Sequence, residues 1–63
     1  MKNYLIYFRN KRLEVTHRLY VVATNENNIV ESAKRHLKLS DYYIHDWMDV
    51  GQSKKKGIPS ISI

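Results

Sequence analysis

The chain has 63 residues, of which 43% are hydrophobic and 27% charged, and its formal net charge is +5. A chain of this length buries only about 60% of the surface it exposes when unfolded, so it can form one small core. It has no cysteine, which excludes disulfides and thiolate metal sites, and no apolar stretch near the roughly 20 residues that cross a membrane. We therefore expect one compact domain over residues 1–63, without a linker, in the cytoplasm.

Two strands are predicted in the first part of the chain. Residues 3–9 are rich in aromatic and branched side chains, and residues 13–24 alternate with a period of two. A two-residue turn beginning at Asn10 closes them into a hairpin, because asparagine tolerates the left-handed conformation. This turn predicts that Phe8 lies opposite Leu13.

The alternation divides the hairpin side chains between two faces of a sheet. The face predicted to lie under a helix carries Tyr4, Ile6, Phe8, Val15, Leu19 and Val21. In this register the second strand outruns the first over Tyr20 to Thr24. Its unpaired backbone groups and the uncovered second face predict that a second copy of the chain can bind there.

A helix is predicted after the hairpin. Thr24 or Asn25 can cap its start, since both side chains accept hydrogen bonds from free backbone N–H groups. The helix carries one apolar stripe, formed by Ile29, Val30, Ala33 and Leu37. This stripe is wide enough to cover one face of a small sheet.

Two further strands are predicted after the helix. Residues 42–50 alternate, with Ile44, Met48 and Val50 on one face and Asp46 as an inconsistency on that same face. Ile58, Ile61 and Ile63 predict a last strand at an edge of the sheet, where Pro59 is tolerated. The predicted fold is α+β, a small antiparallel sheet in β-β-α-β-β order with one helix packed on one face.

The second sheet face is the predicted binding surface. It would show aromatic and basic side chains, joined by Tyr43 and Trp47, and further basic side chains lie at the hairpin turn and at a second hairpin tip between Gly51 and Gly57. The candidate partner-binding residues are Tyr7, Arg9, Lys11, Arg12, Arg18, Tyr20, Trp47, Lys54, Lys55 and Lys56. Such a face can stack bases and hold phosphates, but the same residue types are enriched at protein interfaces. The simplest alternative is that loops fold over it.

No catalytic site is predicted. Ser32, Ser40 and Ser53 lack the context of an activated nucleophile, and two isolated glycines cannot form a phosphate-binding loop. The three histidines have no known metal-ligand spacing. We expect no enzyme activity, no cofactor and no metal.

The sequence therefore predicts a small, non-enzymatic binding module that acts through an aromatic and basic sheet face. Our first hypothesis is a modulator or inhibitor that binds an acidic protein surface; the second is a nucleic-acid-binding protein that uses the same face and the basic hairpin tips. A homo-oligomeric structural element is the third. Neither a membrane nor a small-molecule substrate is an expected partner. The small size and the Lys, Asn, Ile and Tyr content give the impression of an accessory protein of a low-GC bacterium, a phage or a mobile element.

Overall fold

The computed structural model describes residues 1–63 and contains four strands and one helix. The strands are β1 (Lys2–Arg9), β2 (Val15–Ala23), β3 (Ile44–Gly51) and β4 (Ser60–Ser62), and the helix α1 (Ile29–Leu37) lies between β2 and β3 in the chain. All four strands form one sheet in the order β3-β1-β2-β4. The predicted α+β class and the β-β-α-β-β order are confirmed.

The sheet is mixed, so the prediction of an antiparallel sheet is wrong for one pair of strands. β1 pairs antiparallel with β2 and β3, whereas β4 runs parallel to β2. β3 and β4 lie at opposite edges and run in the same direction. The connection between them must therefore cross the sheet and also return along its length, which no hairpin turn can do.

The hairpin of β1 and β2 has a different register from the predicted one. Phe8 lies opposite His17 rather than Leu13, a shift of four residues along β2. The cause is a longer loop, in which the Asn10 side-chain oxygen accepts the backbone N–H groups of Arg12 at 2.9 Å and Glu14 at 3.1 Å. Because the shift is an even number of residues, side chains keep their predicted faces.

The new register removes the predicted overhang of the second strand. Lys2 lies opposite Ala23, so β1 pairs with β2 almost to its end. On the other side, residues 20–22 of β2 pair with β4. The expected free backbone groups at Tyr20 to Thr24 are therefore largely occupied within the chain.

The main core lies between the sheet and α1. Its fully buried side chains are Ile6, Phe8, Leu19, Val21, Ile29 and Ala33, and Tyr4 is buried beside them. Val15 was predicted to belong to this set but is exposed, because a bulge between Phe8 and Arg9 ends the regular ladder and leaves Val15 at the end of β2.

The helix begins later than predicted. Its first turn follows Asn28, which has a φ of 66° and caps no backbone group with its side chain. Asn25 instead accepts the backbone N–H of Asn27 at 2.9 Å and shapes the loop before the helix. The predicted stripe is confirmed, since Ile29 and Ala33 are buried and Val30 and Leu37 pack against the core.

Candidate functional site

A loop crosses the sheet face opposite α1. We call residues 52–59, which connect β3 to β4, the strap. The backbone N–H of Lys55 donates to the Tyr20 hydroxyl at 2.7 Å, which places the strap over the central strands. Tyr20 and its neighbour Leu5 are only 2% and 4% exposed, although both side chains point away from α1. The strap thus buries part of the face that was predicted to be open.

The rest of this face retains the predicted combination of aromatic and basic side chains. Tyr7 is half-buried, and the Arg18 guanidinium lies 5.9 Å from the centre of its ring. Lys54, Lys55 and Lys56 are exposed on the adjacent strap. They do not form a hairpin tip as predicted, because β3 and β4 are not neighbours. We call Tyr7, Arg9, Arg18 and the three strap lysines the basic face.

Asp46, which interrupts the apolar pattern of β3, forms an ion pair with Arg9 of β1. Asp46 lies opposite Tyr7 on the basic face, and its carboxylate is 3.6 Å from an Arg9 guanidinium nitrogen. Sequence patterning could not supply this pair, because it depends on β3 lying beside β1 rather than beside β4.

Trp47 lies on the opposite face from the one predicted for it. It pairs with Ile6, and its ring meets the Tyr4 ring edge-on, with centres 5.7 Å apart. Tyr43 also lies on the α1 side, where it packs against the core and meets the His17 ring edge-on. Odd-numbered residues of β3 from His45 to Asp49 therefore point toward the α1 side, which separates Trp47 from Tyr7.

The hairpin loop contributes a separate basic site that includes one aromatic residue not predicted from the sequence. The Lys11 ammonium lies 3.9 Å from the centre of the Tyr42 ring, a cation–π contact. Lys11 and Arg12 line an open cleft of about 320 Å³ together with Asn10, Ser40, Tyr42 and Tyr43. No pattern in the sequence indicates this contact, because Lys11 and Tyr42 lie far apart in the chain.

Most of the charge outside ion pairs is positive, with eight Lys and Arg side chains against Glu14, Glu26 and Glu31. The three aspartates form ion pairs, Asp49 with Lys2, Asp46 with Arg9 and Asp41 with Lys34. These pairs use three of the eleven Lys and Arg side chains and leave eight without an ion pair. Six of the eight are candidate residues: Lys11, Arg12, Arg18, Lys54, Lys55 and Lys56. Exposed ion pairs add little stability. Their main effect here is to neutralise the aspartates, which leaves the candidate residues as sites of uncompensated positive charge.

The structure brings together no group of three or more side chains that could hold a metal ion. No helix is long and apolar enough to cross a membrane. No family model, curated protein or solved structure matches the chain.

The hydrogen bond between Lys55 and Tyr20 gives a test of the strap. Tyr20→Phe removes the acceptor and keeps the ring. The Lys55 amide should then exchange with solvent about tenfold faster, because a tenfold change corresponds to the free energy of one typical hydrogen bond. Amide exchange followed by NMR measures this change, and the Leu19 amide serves as a reference for global stability. An unchanged Lys55 exchange rate would show that the strap does not rest on Tyr20.

Proposed function

We propose that the chain is a non-enzymatic binding module that docks its basic face on the acidic surface of a protein. The observation that carries this proposal is the arrangement around Tyr7. The Arg18 guanidinium lies over the half-buried Tyr7 ring, and the strap on the same face adds three exposed lysines that, like Arg18, have no ion pair. Aromatic and arginine side chains within a charged rim are typical of the central contacts of protein interfaces.

The positions of the other aromatic rings favour a protein partner over single-stranded nucleic acid. Stacking proteins present successive rings on one open surface. Here Tyr20 is covered by the strap and Trp47 lies on the α1 side, so Tyr7 is the one ring left beside Arg18. One ring can anchor a protein contact, but it offers a poor platform for a run of bases.

Nucleic-acid binding remains the second candidate because one observation favours it. All three strap lysines are exposed and free of ion pairs, and such side chains contact phosphates without any need for stacking. This alternative predicts binding that depends steeply on salt, with a slope of about −0.7 in log K against log salt for each phosphate contact on a single strand.

A fluorescence-anisotropy titration distinguishes the two candidates. The probes are a labelled peptide rich in Glu, Asp and Leu, and labelled single- and double-stranded oligonucleotides, each at low and moderate salt. We expect the peptide to bind. Arg18→Glu should lower the affinity for the peptide by about tenfold or more, because the substitution reverses a charge beside Tyr7. Lys38→Glu is the matched control, since Lys38 is also free of an ion pair but follows the end of α1.

The outcomes separate clearly. Equal losses from Arg18→Glu and Lys38→Glu would indicate attraction by net charge alone and would contradict a defined basic face. Tight oligonucleotide binding with a steep salt slope, without peptide binding, would replace the proposal by the second candidate.

A further inference from the structure

β3 is an edge strand with little of the usual protection against pairing, because its one bulge lies at Val50, close to its end. It has eight residues, its outer side has no partner in the chain, and it contains neither proline nor lysine. The other edge strand, β4, has only three residues and follows Pro59. Proteins commonly protect sheet edges with short strands, proline and lysine. One edge of this sheet is therefore protected and the other is open.

The open edge is also apolar on both sides. Ile44 and Met48 are 48% and 47% exposed on the side of the basic face, and Trp47 is 39% exposed on the α1 side. Exposed apolar side chains on both sides of an unpaired backbone favour the addition of another strand.

Two aspartates in β3 would ordinarily oppose such pairing. Each of them is compensated from β1, because Arg9 lies 3.6 Å from Asp46 and Lys2 lies 3.6 Å from Asp49. A second strand can thus approach β3 without meeting an uncompensated charge.

We propose that β3 pairs antiparallel with β3 of a second copy of this chain, about a two-fold axis at Trp47. In an antiparallel pair, directly opposed side chains lie on the same face of the sheet. The axis must therefore pass through a residue, because an axis through a peptide bond would place side chains of opposite faces against each other. This register places His45 opposite the partner's Asp49, and the symmetry repeats the contact. An imidazole N–H can donate to a carboxylate, so the two contacts are complementary.

The neighbouring registers are less favourable. An axis at Asp46 places two like carboxylates opposite each other, which destabilises a strand pair. An axis at Met48 places Trp47 opposite the partner's Asp49 and leaves His45 without an acidic partner. The axis at Trp47 instead places Asp46 opposite the partner's Met48 and joins the two tryptophans. This self-complementarity is what a two-fold interface requires, and it is the reason for choosing a second copy as the occupant.

The proposed dimer has a defined shape. A two-fold axis perpendicular to the sheet preserves its faces, so the two four-stranded sheets form one sheet of eight strands. Both helices lie on one side, and both basic faces lie on the other. The pairing does not depend on what the basic face binds.

Sedimentation equilibrium tests the dimer with the intact chain. We expect reversible dimers with a dissociation constant on the order of tens of micromolar, as is usual for a small interface. Met48→Glu puts a carboxylate opposite the partner's Asp46 twice in each dimer, and we expect it to weaken association by about 100-fold or more. Leu13→Glu makes the same kind of change at a residue that is 64% exposed in the hairpin loop, and it should leave association unchanged.

A mixing experiment tests the register. His45→Asp alone brings two carboxylates together at each contact, and Asp49→His alone brings two imidazoles together, so both variants should be largely monomeric. When the two variants are mixed, each supplies the group that the other lacks, and heterodimers should form. Circular dichroism confirms that each variant is folded. A strictly monomeric native chain, equal effects of Met48→Glu and Leu13→Glu, or no heterodimer in the mixture would each overturn the proposal.

Discussion

Leu19→Ala should lower the free energy of unfolding by about 2–5 kcal/mol, a large share of the stability of so small a domain. Leu19 is fully buried, lies opposite Ile6 and belongs to the core beneath α1. Its truncation removes apolar contacts and leaves a cavity that the two central strands cannot close without losing their pairing. Urea unfolding followed by tryptophan fluorescence measures the change.

Leu13→Ala is the matched control for this prediction. The chemical change is the same, but Leu13 is 64% exposed in the hairpin loop. We expect a change within about 0.5 kcal/mol, as for most surface substitutions. Similar losses in both variants would show that the core does not lie where the structure places it.

Tyr20→Ala should cost about 3–5 kcal/mol, the range for a buried aromatic side chain. Tyr20 is 2% exposed between the sheet and the strap, and its hydroxyl accepts the Lys55 N–H. Truncation therefore leaves a cavity and frees the strap from its anchor. Thermal and urea unfolding of the isolated chain should both show this loss in the free energy of unfolding, since it does not depend on a binding partner.

An exposed counterpart separates this effect from a role in binding alone. Tyr42→Ala makes the same change at a residue that is 67% exposed and whose ring face contacts the Lys11 ammonium. Loss of a surface cation–π contact costs about 0.5–1 kcal/mol. If Tyr20→Ala were as mild as Tyr42→Ala, Tyr20 would be an open surface ring and the strap would lie elsewhere.

The order of the elements and the faces of the hairpin were predictable because they depend on local pattern. The alternation in residues 13–24 assigns Leu19 and Val21 to the core in any register shifted by an even number of residues. The register itself was not predictable, because Asn10 can start a two-residue turn or bind two N–H groups of a longer loop.

Less of the candidate site was predictable, because that site depends on how distant segments meet. β3 has apolar side chains on both faces, so its pattern could not decide the direction of Trp47. The strap has no pattern of its own, and its position follows from β3 and β4 lying at opposite edges. The burial of Tyr20 could therefore not be inferred from residues near it in the chain.

The sheet order also determines the sequence in which the domain can assemble during synthesis. β1 and β2 emerge first and form a local hairpin, α1 can then cover it, and β3 joins the free side of β1. β4 has only three residues and attaches to a β2 that must already be in place. Pairing of distant segments is generally slow. Until the strap closes, Leu5 and Tyr20 remain exposed, so the burial of these two residues is among the last steps of folding.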